Sequence, residues 1–466
     1  MQNHLRVARE STWFEIGGVV AFAALVAIIV NVTRFELSGA PLVLAGIVVA
    51  IVPALLWLSA FYRQDRIEPE PRQFVIGVFI LGALLYQAIG QPLTREIFRA
   101  QDWLGANWVI AITGSILVGG LITQFLLYAA VRYSVFNSSE FDQRIDGIIY
   151  GAAAGLGYAT MQNIQYVVGN GGVNLGIGAL TIAVEALSLA SLGGISGYFL
   201  GRAKFDKMGA LWLPLGLALA AILNGGVDLV LRQVPFIGGD LNVNPWYGLL
   251  VGVVIAGGTF FVLFRMMNRL PSAIETTTSA DEPEWIVWLV VAMGLAAAWL
   301  VRGNILEQTR VATVAQVSIS YPATWSRASE PGALVAAMDR ARGGIFGARV
   351  SVRQSPRAEL FSASGAMTDA ALNWSLARGK ELIAYRLLET SETKWQGRDA
   401  TRIEYVFLLD APQGSAAGAL PALMRAVDVL VVGGDQVYVL TFAAPSSEYD
   451  HLADLRERII ATWRVP

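Results

Sequence analysis

The stretch DGIIYGAAAGLGYATMQNIQYVV, Asp146 to Val168, decides the fold class. After its leading aspartate it runs to Val168 without a Lys, Arg, Asp or Glu, and it sets Gly151 and Gly155 four residues apart. A helix rises about 1.5 Å per residue, so about 20 such residues cross a hydrocarbon core about 30 Å thick. Working outward, eight more segments share this character, at 14–33, 40–62, 73–93, 107–131, 175–200, 207–231, 245–264 and 284–302. The sequence thus predicts a polytopic α-helical membrane bundle of about nine spans.

Composition agrees. The 466 residues are 55% hydrophobic and 15% charged, against about 25% charged in soluble chains. The net charge of −2 and the scattered Lys and Arg offer no basic stripe, so no nucleic-acid partner is expected. There is no Cys, which removes disulfides, thiolate nucleophiles and Cys-ligated metals. The only histidines are His4 and His451. Arg6 and Arg9 precede an apolar run from Phe14 to Val32 that is too long for a signal peptide and has no small-residue cleavage site after it, so it reads as a retained first span. Pro214 falls inside the seventh predicted span, where neighbouring helices can re-satisfy a freed carbonyl.

With the N-terminus in the cytoplasm, the inside loops hold Arg63, Arg66, Arg72, Arg132, Arg144, Arg202, Lys204, Lys207, Arg265 and Arg269. The outside loops hold Arg34, Arg95, Arg99 and Arg232. This bias places everything after Arg302 outside the cytoplasm. The resulting division is a membrane domain over 1–271, a cytoplasmic linker rich in Thr, Ser and acids over 272–284, a final transmembrane helix over 285–303 and a soluble extracytoplasmic domain over 304–466. In that domain Val314–Tyr321, Ala348–Arg353, Arg402–Leu409 and Ala426–Ala443 alternate as strands do, whereas Asp369–Leu388 and Tyr449–Trp463 carry helical spacing. The prediction is α+β.

Charges within spans are costly, so each is a functional candidate. Glu185 lies in the sixth predicted span, Asp228 in the seventh and Asp146 at the start of the fifth. Gln124, Gln162, Asn163 and Asn224 join them. Asn224 and Asp228 are four apart and share a helix face, as do Tyr158 and Gln162. Interhelical hydrogen bonding worth about 1 kcal/mol apiece is the ordinary use of such amides. The glycine pairs Gly151/Gly155 and Gly193/Gly197/Gly201 are the small-residue spacing that brings helix backbones close.

Four ordered stretches carry a resemblance: YRQDRIEPEP at Tyr62–Pro71, EFDQRIDGIIYGAAAGLGYATMQNIQY at Glu140–Tyr166, GYFLGRAKF at Gly197–Phe205 and NGGVD at Asn224–Asp228. Together they resemble the PrsW family of intramembrane proteases, related to the prenyl-protein CAAX-processing proteases, over about residues 55–235. The resemblance implies a bacterial-type plasma membrane protein and a hydrolase site built from E-E-x-x-K, F-x-x-x-E and H-x-x-x-D on membrane helices. The first motif falls on Thr123-Gln124-Phe125-Leu126-Leu127, the second on Tyr158 to Gln162 and the third on Asn224 to Asp228. Only Asp228 is retained. Amides keep the shape and hydrogen bonding of the groups they replace but cannot transfer protons or hold a hard cation, so no cofactor and no intact metal site are expected. The soluble domain, through VSISYPATW at its start and DQVYVLTFAAP near its end, resembles PsbP-like domains, which bind or scaffold.

Three functions stay open at this point. One is a pseudoprotease that binds lipid or a transmembrane client; another is an active endopeptidase using Asp228 with Glu185. The third is a transporter or channel, disfavoured by the absence of an inverted repeat.

Overall fold

The computed structural model describes residues 18, 21–22, 40–63, 70–169, 177–233, 245–270, 283–339, 346–361, 366–410 and 422–466. The first predicted span and the 272–284 linker fall almost wholly outside these. The chain forms two compact units, one over 1–100, 112–237 and 244–300, the other over 101–111, 238–243 and 301–466.

In the first unit the predicted spans become α1 (Ala40–Tyr62), α2 (Arg72–Leu85), α3 (Trp108–Arg132), α4 (Arg144–Gly169), α5 (Ile177–Phe205), α6 (Trp212–Gln233), α7 (Pro245–Met267) and α8 (Glu284–Glu307). Among the described residues, seven helices are long and apolar enough to cross a membrane, α2 by its continuation to Trp103; α4 is the exception. It carries Asp146, Gln162, Asn163 and Gln165, yet most of its side chains are buried. A helix wrapped by protein need not be uniformly apolar. Pro214 sits in the first turn of α6, where its missing N–H costs no hydrogen bond and no kink is required.

Glycine explains how α4 is wrapped. A Cβ placed at Gly147, Gly151 or Gly155 would strike the backbone oxygens of Gly197, Gly193 and Leu189 on α5, and one at Gly201 would strike Arg144. On the opposite flank Gly82 faces the Ala154 carbonyl and Gly157 faces that of Phe79. The small-residue spacing read from the sequence is thus the α4–α5 seam, and α2 closes on α4 in the same way. At one end the seam is tied by Asp206, which accepts from Arg144 Nη2 and Arg202 Nε, each at 2.6 Å. Lys204 Nζ donates to the carbonyls of Phe136 and Phe141, both at 2.6 Å.

α2 and α3 contain π-helical turns, at Tyr86–Gly90 and Leu93–Ile97 in the continuation of α2 and at Ser115–Gly120 within α3. Each widens the helix by one residue and resets which side chains face the bundle.

The second unit is a seven-stranded antiparallel sheet with a separate hairpin. The hairpin pairs β1 (Thr309–Val314) with β2 (Val317–Pro322). The sheet contains β3 (Ser326–Arg327), β4 (Ala333–Met338), β5 (Arg349–Pro356), β6 (Ile383–Trp395), β7 (Arg398–Leu409), β8 (Ala422–Gly433) and β9 (Gln436–Pro445), in the order β3-β4-β5-β9-β8-β7-β6. Two helices flank it. α9 (Met367–Glu381) packs Ala370, Ala371 and Trp374 on one face with Ile403, Tyr405, Val437 and Val439. α10 (Ala453–Thr462) and the hairpin pack on the other with Val427, Val429, Leu440 and Phe442.

The α+β prediction holds, with three corrections. Val314–Tyr321 begins with the last residue of β1 and the Ala315–Gln316 turn, φ 49° and 67°, and is a strand only from Val317, as the second arm of a hairpin. Ala426–Ala443 is two strands meeting at Gly434. Asp369–Leu388 is helical only to Glu381 and then enters β6.

Two outcomes test the seam. Gly197→Val, whose branch points meet backbone that cannot turn aside, is expected to lower stability by about 1–3 kcal/mol in thermal unfolding of the detergent-solubilised protein. Gly257→Ala, with nothing within 4 Å of the added carbon, is expected to leave it unchanged or raise it. At Asp206, burial raises the carboxyl pKa, but the hydrogen bonds from Arg144 and Arg202 outweigh it and hold the pKa below the ordinary 3.8. A depressed carboxylate contributes stability above its unfolded pKa and loses it as pH falls through the folded one. The gap in melting temperature between wild type and Asp206→Asn is therefore expected at neutral pH and to shrink below pH 3.8.

Candidate functional site

The π turn of α3 is where the site begins. Gly120 lies against the Ala221 carbonyl, and Gly225 lies against the backbone of Ile116, so α3 and α6 meet backbone to backbone. That approach brings the polar face of α6 onto α3. Asn224 Nδ2 donates to the Gly119 carbonyl at 3.5 Å and Asp228 Oδ2 accepts from Ser115 Oγ at 3.4 Å.

One turn along α3, Thr123 Oγ1 donates to Tyr158 Oη at 3.2 Å, which joins α3 to α4. Tyr158 is seated under Gly90, with the Tyr86 ring 5.0 Å away at 77°. A helical turn beyond Tyr158, Gln162 Nε2 donates to the Glu185 carboxylate on α5 at 2.5 Å. Near it Gln165 Nε2 donates to Gln87 Oε1 at 2.8 Å, tying α4 to the π turn that follows α2. Gln124 points a different way from Thr123, towards α5, and its Oε1 accepts from Ser196 Oγ at 3.0 Å.

The structure therefore brings Gln162 and Glu185 into direct contact and sets Asn224 and Asp228 together along α3. Gln124 is fully buried and separate from both, and Glu185 and Asp228 are held by different helices. Ser115, Ser196, Gln87 and the three π turns are the parts that sequence reading missed. A serine in an apolar helix gives no signal of its partner, and the nearest clue to the π turns is the glycine at Gly90, Gly119 and Gly120. A second buried group lies at the Asp206 end. Tyr150 donates to the Glu70 carboxylate, and Asp146 Oδ2 accepts the backbone N–H groups of Asp142 and Gln143, fixing the entry of α4.

A family model described as "PrsW family intramembrane metalloprotease" matches residues 70–258. Protease PrsW of Bacillus subtilis (strain 168) is 32% identical over 187 residues, which span 40% of this chain and 81% of the relative. The chain belongs to the PrsW family. Protease PrsW of Geobacillus kaustophilus (strain HTA426) is 33% identical over 184 residues, 39% of this chain and 77% of the relative. For the C-terminal sheet domain, cyanobacterial PsbP (CyanoP) from Synechocystis sp. PCC 6803 aligns at 13% identity with a TM-score of 0.26, covering 34% of this chain and 92% of that one. The fold of that domain rests on its own strand pairing.

The PrsW match covers α2 to α6 and the first part of α7 and so includes every residue of the polar strip. A metal is implied by the family description, but the donors here do not fit one. Thr123, Gln124, Gln162 and Asn224 offer hydroxyl and amide groups, and Asp228 offers the one carboxylate among the motif positions. Among the described residues no three His, Cys, Asp or Glu side chains gather as metal ligands would. Neutral amide oxygens are weak ligands for a borderline cation, and the Gln124 oxygen already accepts from Ser196.

The Gln162–Glu185 bond makes a direct test. Gln162→Leu removes the donor beside a half-buried carboxylate and is expected to cost about 1–3 kcal/mol in thermal unfolding. Glu185→Gln, which preserves an amide pair, is expected to cost clearly less. No loss in Gln162→Leu would show that the bond contributes nothing.

Proposed function

We propose that this PrsW-family membrane protease homologue has lost peptide-bond hydrolysis and acts by binding a transmembrane client or lipid within the bilayer, in envelope signalling. Its N-terminus faces the cytoplasm, and its C-terminal domain lies outside, where it senses or docks a partner. The observation that carries the reading is the state of the motif positions. The hydroxyl of Thr123 and the amides of Gln124, Gln162 and Asn224 are each engaged in an interhelical hydrogen bond. Groups that would activate water, protonate an amine or hold a metal are replaced by groups that do none of these.

The rival reading, an endopeptidase using Asp228 and Glu185, needs the two carboxylates to share one water or metal. Two carboxylates do so at separations below about 10 Å. Here Glu185 accepts from the Gln162 amide on α4 and Asp228 from the Ser115 hydroxyl on α3, two neutral donors on different helices.

Purified protein in lipid, incubated with single-span substrates, is expected to release no fragments, with Asp228→Asn indistinguishable from wild type. Cleavage by the wild type that disappears in Asp228→Asn would falsify the reading.

A further inference from the structure

The PrsW match ends at residue 258, so α8 is an addition to the matched region, yet it does not stand free. It runs antiparallel along α3, the helix that carries Ser115, Gly119 and Thr123. Glu284 forms an ion pair with Arg132, and Trp288 Nε1 donates to Tyr133 Oη at 3.0 Å. The Trp288 ring meets Phe125 edge-on at 4.8 Å. Further along, Gly294 is pressed against Leu121, with Leu117 beside it, and Trp299 meets Phe98 at 5.9 Å.

The seat is narrow. Val287, Val291 and Ala298 are buried together with this Gly294 contact, at spacings of four, three and four residues. The rest of α8 faces away: Trp285, Leu289, Met293 and Leu300 are 45–72% exposed. On α3 the matching ridge is Leu117, Leu121 and Phe125, four residues apart, so Leu121 stands between Gly119 and Thr123 in sequence. A membrane helix lying on this ridge is separated from the polar strip only by the thickness of α3. Short side chains along one seam, here two valines, a glycine and an alanine, with a polar clamp at one end, let helices pack in lipid without a hydrophobic driving force. One acid, one indole N–H and a thin seam give an association that another helix can exchange.

We infer that α8 is a resident occupant of a transmembrane-helix docking face on α3, and that a single-span client takes this face by displacing it. The inference rests on the client-binding reading above. The client's chemistry follows from the face: a helix with valine, glycine or alanine at the four-three-four spacing and an acid at the end that meets Arg132. Because α8 leads into the C-terminal domain, its displacement reports client capture to that domain. A ligand shifts such an exchange only by its affinity advantage over the resident.

The test uses the full chain in nanodiscs of phosphatidylcholine and phosphatidylglycerol, with p-benzoylphenylalanine in place of Phe125. The probe is a fluorescent synthetic peptide of Glu284–Glu307. Irradiation of the otherwise unaltered chain is expected to give an intramolecular adduct on α8 near Trp288 and little labelled peptide. Glu284→Arg, and separately Gly294→Leu, are expected to raise peptide labelling roughly tenfold by weakening the resident. Adding Arg132→Glu to Glu284→Arg restores the ion pair and is expected to return labelling to the starting level. An adduct mapping away from α8, or peptide labelling unchanged in both single variants, overturns the inference. If the captured peptide is cut, docking stands and the loss of hydrolysis falls. If it is neither captured nor cut, docking falls and the loss of hydrolysis stands.

Discussion

The membrane unit depends on one contact, the backbone-to-backbone approach of α4 and α5 across Gly147, Gly151, Gly193 and Gly197. In lipid no hydrophobic drive separates a helix from its surroundings, so close packing and interhelical hydrogen bonds must hold the bundle together. A seam without side chains lets two helices approach until their flanking residues touch. Gln162 reaches Glu185 across this seam, and Ser196 reaches Gln124 from its other side. The contact between α3 and α6, again through glycine, does the same for Asn224 and Asp228. The polar strip is a consequence of where glycines allow backbones to meet.

Much of this was legible in the sequence. Apolar runs marked the helices from α1 onward, and the glycine spacing marked the seam. The face shared by Tyr158 and Gln162, and that shared by Asn224 and Asp228, followed from helical periodicity alone. Partners did not. The π turn at Ser115–Gly120 breaks that periodicity, so a reading at 3.6 residues per turn misplaces Ser115 relative to Thr123. Likewise Ala315 and Gln316 turn a hairpin without the Asn-Gly pair that signals one, so its first arm, Thr309–Val314, gave no strand signal of its own.

The C-terminal domain shows the same limit from a different cause. Asp428 on β8 is fully buried within an apolar run and accepts from Trp374 Nε1 at 2.6 Å and Tyr405 Oη at 3.1 Å, with Arg378 Nε 3.9 Å away. Alternation predicts which face the residue occupies but not that an indole, a phenol and a guanidinium converge on it. Such a network specifies how α9 docks on the sheet, since a shift of the helix withdraws Trp374 and Arg378 and leaves Asp428 only the Tyr405 hydroxyl from its own sheet.

Amides in place of acids also change what the membrane unit must pay to fold. A carboxylate inside a bundle needs a counter-charge, a bound cation or a proton, and a site poised for hydrolysis keeps such groups under-satisfied so that substrate can engage them. Gln124 and Asn224 need none of these. One hydroxyl or one carbonyl engages each, and the helices carrying them gain a fixed register. Glu185 and Asp228, the acids that do remain here, sit beside a neutral donor. Among the motif positions, Asp228 alone carries a charge that burial would penalise, and the amides set helix register without needing a bound ion.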